Sequence, residues 1–134
     1  MKFQVDFITY KGLYRSIETD KLNIPAVDGR RTILSNHMPI IVPVDIGMIE
    51  TSLDGKTYYW AVSDGLVHFE NNKATVLCDE ILGTDDIYYE RVQKAIDNAQ
   101  RKLEESTSED RIIRARIALA RATNLMMTKN KAKD

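Results

Sequence analysis

The sequence predicts an N-terminal antiparallel β-sandwich, residues 1–83, followed by a C-terminal α-helical hairpin, residues 84–134. Up to about residue 82, apolar side chains recur at every second position, which is the period of a half-buried strand. Turn-forming residues interrupt this pattern roughly every 8 to 12 residues, as in sandwiches and barrels. From Thr84 the period changes to about 3.6, and no Gly or Pro occurs after Gly83.

The first strands are indicated by alternation and by the turns that end it. Phe3, Val5 and Phe7 alternate with polar neighbours until Lys11-Gly12, and Leu22, Ile24 and Ala26 precede the turn Asp28-Gly29. Pro43 interrupts the apolar run Ile40–Val42. Because proline has no N–H for a ladder, this run is predicted at a sheet edge or a bend.

The middle of the chain predicts consecutive hairpins. Asp54-Gly55 precedes the run 57–63, and Asp-Gly tolerates the positive φ angles of a tight turn. The run 65–69 follows, then the polar turn 70–73 and the strand 74–78. Cys78, the only cysteine, is expected to be a buried apolar residue in a protein of a reducing compartment.

Thr84 is predicted to be the N-cap of the first helix, with Asp85 and Asp86 in its first turn near the positive end of the helix dipole. The second helix has two candidate caps. Ser106 has capping-box spacing to Glu109, and Ser108 competes with it. The apolar face of the first helix comprises Tyr88, Val92, Ala95, Ile96, Ala99 and Leu103.

Two apolar stripes lie side by side on the second helix, and residues 128–134 are predicted to fray. One stripe is Ile113, Ile117, Ala120 and Met127; the other is Ile112, Leu119, Ala122 and Met126. Alanine is frequent on both helices, at positions 95, 99, 115, 118, 120 and 122. A buried methylene contributes only about 0.8 kcal/mol, so such a hairpin would open easily. Two interpretations stay open: an arm that docks and extends, or a hairpin that only stabilises the fold.

Arg111, Arg114 and Arg121 lie close to one face of the second helix. They predict a solvated helix face, a surface that docks on carboxylates, or a contact with nucleic acid. The net charge of −1 and the lack of a basic stripe interleaved with aromatic residues disfavour nucleic acid.

The sequence predicts no catalytic site and no metal site. His37, His68 and Cys78 do not have metal-ligand spacing, and His68 is expected to be a hydrogen-bonded strand residue. No glycine-rich phosphate loop and no nucleophile elbow occur. No signal segment and no apolar window long enough for a membrane span is found, so a chain that does not insert in a membrane is expected.

Several segments, in order, resemble the ATP synthase epsilon subunit, the bacterial central-stalk subunit of F-type complexes. Residues 32–41 resemble the G-I-L-P-x-H-x-P-L-L run, residues 46–49 resemble P-G-x-L/I, and residues 60–69 resemble A-x-x-G-G-F-L-E-V. Residues 72–77 resemble the strand that closes the family's sandwich, and two helices follow. The resemblance covers essentially the whole chain.

The resemblance implies a non-catalytic rotor subunit at the cytoplasmic face of the bacterial plasma membrane. The family's sandwich binds the gamma subunit and the c-ring. Its helices inhibit ATP hydrolysis when they extend towards the alpha and beta subunits. The matching c-ring and gamma positions are Arg30, Arg31, Ser35, Asn36, His37 and Met38. The candidates for contact with the acidic loop of beta are Arg111, Arg114 and Arg121.

The chain departs from the family in three places. Residues 29–32 are basic where many relatives are acidic, so acidic charges are expected on the c-ring loop, and Ser35-Asn36 replaces Pro-Gly before His37. Some relatives bind ATP through I/L-D-x-x-R-A, and here Tyr88 and Val92 replace the Asp and Ala. Ile87, Arg91 and Arg121 are the remaining ATP candidates, and we expect binding to be weak or absent.

Two functions of other classes stay open. One is a free-standing β-sandwich adaptor with a helical dimerisation hairpin, which predicts a stable homodimer. The other is a nucleic-acid-binding module that uses the basic tail, which predicts salt-sensitive binding to DNA of any sequence.

Overall fold

A computed structural model of the chain describes residues 1–132; Lys133 and Asp134, the end of the predicted helical hairpin, lie outside the described residues. Ten strands, a short 3₁₀ helix and two α-helices follow one another within that range. The strands are β1 Phe3–Thr9, β2 Gly12–Thr19, β3 Lys21–Ala26, β4 Gly29–Leu34, β5 Ile40–Val44, β6 Gly47–Leu53, β7 Lys56–Val62, β8 Gly65–Glu70, β9 Lys73–Cys78 and β10 Ile81–Gly83. The helices are the 3₁₀ helix Thr84–Asp86, α1 Tyr89–Glu105 and α2 Glu109–Lys131.

The strands form a sheet of order β10-β7-β6-β3-β5-β8-β9-β1-β2, with β4 paired to β3. All neighbours are antiparallel except β1 and β9, which are parallel. Between β3 and β5 the pairing is limited to Ala26 and Val44, so the sheet bends there into two layers. The predicted sandwich is confirmed, and Pro43, predicted at a sheet edge or a bend, lies in β5 next to that link.

Alternating side chains of both layers fill the core between them. Phe7 stacks on Trp60 with 4.4 Å between ring centroids, and the Trp60 indole Nε1 donates to Thr51 Oγ1 at 3.0 Å. Cys78 is buried as predicted, and burial, followed by the nearby Asp79 and Asp64, raises the pKa of its thiol to about 12. His68 lies in the middle of β8, and its Nε2 is 3.4 Å from Glu70 Oε2.

The predicted tight turns are confirmed by their backbone angles. Asp54 and Gly55 have φ of 52° and 84°, and Gly29 has φ of 123°. Asn71 and Asn72 join β8 to β9 with φ of 53° and 57°. Asn and Asp adopt positive φ more readily than other residues with side chains, which is why short polar pairs mark these hairpins.

The predicted start of the first helix is wrong, and of the two caps considered for the second helix the structure has Ser108. Thr84 begins a single 3₁₀ turn, and α1 starts only at Tyr89, because the Asp86 carboxylate accepts hydrogen bonds from Tyr14 and Arg15 of β2 instead of facing a helix N-terminus. Ser106 ends α1, and Ser108 is the N-cap of α2, without a side-chain capping bond. The capping box of Ser106 with Glu109 therefore does not form.

α1 and α2 form a hairpin, here called the helical arm, which packs on the outer face of β6 and β7. The buried residues of the arm are Val92, Ala99, Ala115, Ala122 and Thr128. The first stripe predicted on α2 faces solvent, since Ile113, Ile117 and Met127 are 50%, 49% and 59% exposed. Ala95 and Ala118 are exposed as well. The adjacent stripe faces the protein instead. Both faces of α2 are apolar, so helical period alone could not decide between them.

The C-terminal end of α2 does not fray in the way predicted. The helix continues to Lys131, and Thr128 is fully buried. The Lys129 ammonium donates to the backbone oxygen of Thr84 at 2.7 Å. Contacts with the sandwich therefore order a segment whose polar composition had suggested a free tail.

Candidate functional site

An apolar row crosses the outer face of the layer β5-β8-β9-β1-β2. Its members pair directly from strand to strand: Pro43 with Leu66, Leu66 with Leu77, Leu77 with Ile8, and Ile8 with Leu13. Leu13, Leu66 and Leu77 are 63%, 38% and 41% exposed. Because strand side chains alternate, their sequence neighbours point into the core, and these five point outward together.

Sequence reasoning missed the apolar row. Its signal is a pair of adjacent apolar residues within one strand, as in Phe7-Ile8, Leu66-Val67 and Val76-Leu77. Such a pair makes both faces of the strand apolar, although a strand with one solvated face normally alternates apolar and polar residues. A contiguous exposed apolar patch is typical of a protein-binding surface.

The opposite outer face of the sandwich is covered by the helical arm. Ala61 of β7 points outward but is buried beneath Ile87 and Val92. Leu82, Ile96, Leu125 and Met126 complete this contact as partly buried residues. The sandwich therefore has one outer face occupied by its own helices and one that carries the uncovered apolar row.

The turn between β4 and β5 holds four of the residues predicted for the c-ring and gamma interface. The Asn72 side-chain oxygen accepts from the Asn36 backbone N–H at 2.7 Å and from Ser35 Oγ at 3.2 Å. Asn36 has φ of 66°, and the His37 ring meets Phe69 edge-on at 6.0 Å. Met38 is 72% exposed. Side-chain hydrogen bonds thus order a turn that lacks the family's Pro-Gly.

Arg30 and Arg31 lie near the other end of β4. The four steps along the chain from Arg31 to Ser35 span about 13 Å when extended, so the six predicted interface residues form two separate groups. Arg30 donates to the Met48 backbone oxygen at 2.7 Å and lies 3.4 Å from Glu50. Arg31 pairs with Asp28 at 2.7 Å, and its hydrogen bond lowers the pKa of the Asp28 carboxyl.

The three α2 arginines predicted to contact the beta subunit also separate. Arg111 and Arg114 line a cleft at the elbow between the helices, together with Lys102 and Ser106. Neither arginine forms an ion pair within residues 1–132. Arg121 lies about 10 Å further along the helix and is 3.7 Å from Asp79 of the sandwich.

Polar side chains of α2 hold it on the sandwich. Asn124 Nδ2 donates to the Gly47 backbone oxygen at 2.7 Å and approaches the Val62 backbone oxygen at 3.4 Å. At the open end of the hairpin, the Tyr89 hydroxyl donates to Asn130 Oδ1 at 2.9 Å. These bonds fix both the position and the rotation of the last turns of α2.

The three ATP candidates do not converge on one pocket. Ile87 is 1% exposed in the core under the arm, and the Arg91 guanidinium lies 5.1 Å from the centre of the Tyr88 ring. Arg91 and Arg121 line different clefts. The cleft at Arg121 has a volume of about 10 Å³, which is the space needed by a single water.

Among residues 1–132, no three His, Cys, Asp or Glu side chains lie close enough together to hold a metal ion. In the same part of the chain, neither helix combines the length and the apolar character that crossing a bilayer requires.

Comparison with protein families gives two matches that together cover nearly the whole chain. Residues 2–83 match the family described as "ATP synthase, Delta/Epsilon chain, beta-sandwich domain". Residues 85–128 match "ATP synthase, Delta/Epsilon chain, long alpha-helix domain". The change of family falls where the last strand gives way to the 3₁₀ turn.

Two similar proteins are both named ATP synthase epsilon chain. The ATP synthase epsilon chain of Caldicellulosiruptor bescii is 30% identical over 133 residues, covering 99% of this chain and 97% of the relative. The epsilon chain of Lactobacillus delbrueckii subsp. bulgaricus is 34% identical over 129 residues, covering 91% and 88%.

Two solved structures with a similar fold come from ATP synthases. A chain of the Euglena gracilis mitochondrial ATP synthase (OSCP/F1/c-ring) has a TM-score of 0.75 at 20% identity, covering 92% of this chain and 78% of that one. A chain of the Tetrahymena thermophila central stalk and c-ring has a TM-score of 0.61 at 8% identity, covering 94% and 95%. At these identities the likeness concerns the fold.

Proposed function

The chain belongs to the ATP synthase delta/epsilon family, with the function of an epsilon chain in the central stalk, and we propose how its two parts divide that function. The β-sandwich is the coupling part, which binds the gamma subunit and the c-ring. The helical arm is the regulatory part, which lowers ATP hydrolysis when it extends. The chain contributes no catalytic residue and lies at the cytoplasmic side of the bacterial membrane, held there by the c-ring.

The observation that carries the coupling role is the uncovered apolar row. Leu66 and Leu77 lie side by side at its centre, on the outer face that the arm leaves free. Covering such a surface stabilises a complex by roughly 25 cal/mol for each Å² of apolar area removed from water. The gamma subunit is the partner proposed for this face. One face of the sandwich can then bind gamma while the helical arm moves on the opposite face.

The c-ring contact is proposed at the turn that carries Arg30 and Arg31. Asp28 and Glu50 already pair with these arginines, so the turn presents less positive charge than two free arginines would. The ring loop therefore needs fewer compensating acidic residues than the basic sequence suggests. The Ser35–Met38 turn, at the other end of β4, is proposed to contact gamma through the exposed Met38.

The regulatory role is supported by the composition of the arm and by its charges. Its buried helix contacts are mainly alanine and valine, which contribute little free energy per residue. Arg111 and Arg114 are free of ion pairs within residues 1–132 and can bind carboxylates of a beta-subunit loop in an extended state. Arg121 would exchange Asp79 for such a carboxylate.

Co-purification with gamma tests the coupling role. Replacing both Leu66 and Leu77 by Asp places two charges in the apolar row, and the variant is expected to lose gamma. The control is Ile117→Asp, which alters a somewhat more exposed apolar residue on α2. Retention of gamma by the double variant would contradict the proposed surface. A stable homodimer that ignores gamma would favour the free-standing adaptor.

ATP hydrolysis by the reconstituted complex tests the regulatory role. Deleting residues 106–134 is expected to raise hydrolysis while leaving assembly intact, because the sandwich keeps its gamma surface. Replacing Arg111 and Arg114 together by Glu should raise hydrolysis in the same direction, since repulsion replaces attraction. Unchanged hydrolysis in both variants would remove the inhibitory role and leave the family assignment untouched.

A further inference from the structure

We infer that Asn124 is a latch, a side chain whose amide holds α2 in one register on the sandwich and thereby sets how often the helical arm is folded. The inference rests on the proposed role of the arm as a moving part. It assigns the control of that movement to a residue for which the sequence motifs give no role.

The amide of Asn124 bridges two strands at once. Its Nδ2 is 2.7 Å from the Gly47 backbone oxygen and 3.4 Å from the Val62 backbone oxygen. Gly47 and Val62 are themselves a pair, the last one of the β6–β7 ladder. One NH₂ group has two N–H donors, so it can serve a carbonyl on each strand.

The two acceptors are held rigidly by the sandwich. Gly47 packs so closely on Pro25 that an added Cβ would lie 2.8 Å from Pro25 Cβ. Val62 is 2% exposed and also pairs with Ile81 of β10. Since these carbonyls cannot follow the helix, α2 must come to them in a fixed position.

Only one register of α2 satisfies that requirement. A shift by one residue rotates the helix by about 100° and brings Thr123 or Leu125 to this place. Threonine has one donor and leucine has none. The latch therefore selects a single docked arrangement, which the alanine-rich apolar contacts would specify poorly.

The same bonds can be released and formed again. The apolar cluster beneath the arm has a small buried centre of Ala61, Ile87 and Val92, so directed bonds supply much of the specificity of the contact. When α2 leaves the sandwich, water can hydrogen-bond to the carbonyls and to the amide, so no polar group is left without a partner. The net free energy that these bonds contribute to docking is therefore modest. The nearby Arg121–Asp79 pair is 37% and 75% exposed and contributes little.

Hydrogen exchange of the full chain tests the latch. Asn124→Ala removes the donor, and Asn124→Asp keeps the shape but turns an acceptor towards two carbonyls. Both variants are expected to exchange the α2 amides about tenfold faster than wild type, with Asp the faster of the two. The control is Thr123→Ala, at the exposed neighbouring position, and it should exchange like wild type. Amides of β1 and β9 should stay protected in every variant.

Two results overturn the latch. One is α2 exchange in both Asn124 variants that equals wild type. The other is an equal acceleration of β1 and β9 amides, which means that Asn124 acts on the stability of the whole fold.

The rate of ATP hydrolysis by the complex distinguishes the latch hypothesis from the proposed inhibitory role of the arm. With Asn124→Asp, a more often extended arm should lower hydrolysis, and deletion of residues 106–134 should abolish that difference. Faster α2 exchange with unchanged hydrolysis would support the latch and contradict inhibition. Unchanged exchange would contradict the latch whatever the hydrolysis rate.

Discussion

The phenol of Tyr14 in β2 donates a hydrogen bond to the carboxylate of Asp86 in the 3₁₀ turn, joining residues that are 72 positions apart. Arg15 donates to the same carboxylate at 2.8 Å, and the Tyr14 oxygen accepts from the Gly83 N–H at 3.0 Å. Burial raises the pKa of Tyr14, and its hydrogen bond to Asp86 adds to that effect. The root of the helical arm is thereby fixed to the sandwich, whatever α2 does.

Replacing Tyr14 by Phe should lower the free energy of unfolding by about 1 to 3 kcal/mol. The variant keeps the ring but leaves the Gly83 N–H and part of the Asp86 carboxylate without a partner. Urea unfolding measures the loss, and Tyr10→Phe, at an 83% exposed position, is the control that should not change. Equal midpoints for both variants would mean that the hydrogen bonds do not stabilise the junction.

Gly65 is expected to tolerate no side chain. A Cβ at this position would lie 1.9 Å from the Leu77 backbone oxygen and 2.7 Å from Cys78 Cα, so Gly65→Ala must push β8 away from β9. Unfolding should become easier by about 2 kcal/mol or more.

The matched control for Gly65 is Gly55→Asn in the β6–β7 turn. Gly55 has φ of +84° with no atom within 4 Å of an added Cβ, and Asn accepts that backbone angle better than other residues. Its thermal midpoint should fall less than that of Gly65→Ala, because only the backbone angle is strained there. A Gly65→Ala protein as stable as this control would refute the close strand approach.

Asp6 should make stability depend on acid pH. Ser16, Lys73 and Gln4 contact its carboxylate, with the Ser16 hydrogen bond the largest cause, and they lower its pKa from 3.8 to about 2. Because the folded pKa lies below the unfolded one, the ionised carboxylate stabilises the fold above pH 3.8 and loses that effect as the pH falls to about 2.

Thermal unfolding of Asp6→Asn at a series of pH values checks this dependence. The variant should melt below wild type at pH 7, and the two curves should converge by about pH 2. Glu18→Gln on the neighbouring strand is the control, and its difference from wild type should stay small throughout. A gap for Asp6→Asn that is constant with pH would contradict the assignment.

Calorimetry should detect no saturable ATP binding to the isolated chain below millimolar concentration. Arg91 and Arg121 line different clefts, and the cleft at Arg121 has room for about one water. Restoring the motif with Tyr88→Asp and Val92→Ala should strengthen binding. A micromolar constant for the unaltered chain would overturn this prediction.

The sequence by itself determined the class of fold and most of its turns. Alternation places Phe3, Val5 and Phe7 on one face because a strand has a period of two, and Asp54-Gly55 predicts its hairpin because few other residues accept positive φ. Both effects act between neighbours in the chain. They can be inferred without knowing what lies across the sheet.

Only the tertiary structure decided where the interaction surfaces lie. The Asp86 carboxylate accepts a hydrogen bond from Tyr14 instead of lying at a helix N-terminus. On α2, Ile113 and Ile117 face solvent while Ala115 and Ala122 are buried. Each outcome depends on partners distant in sequence, and helical or strand period carries no information about them. The apolar row arises in the same way, because Leu66 and Leu77 become one surface only after β8 pairs with β9.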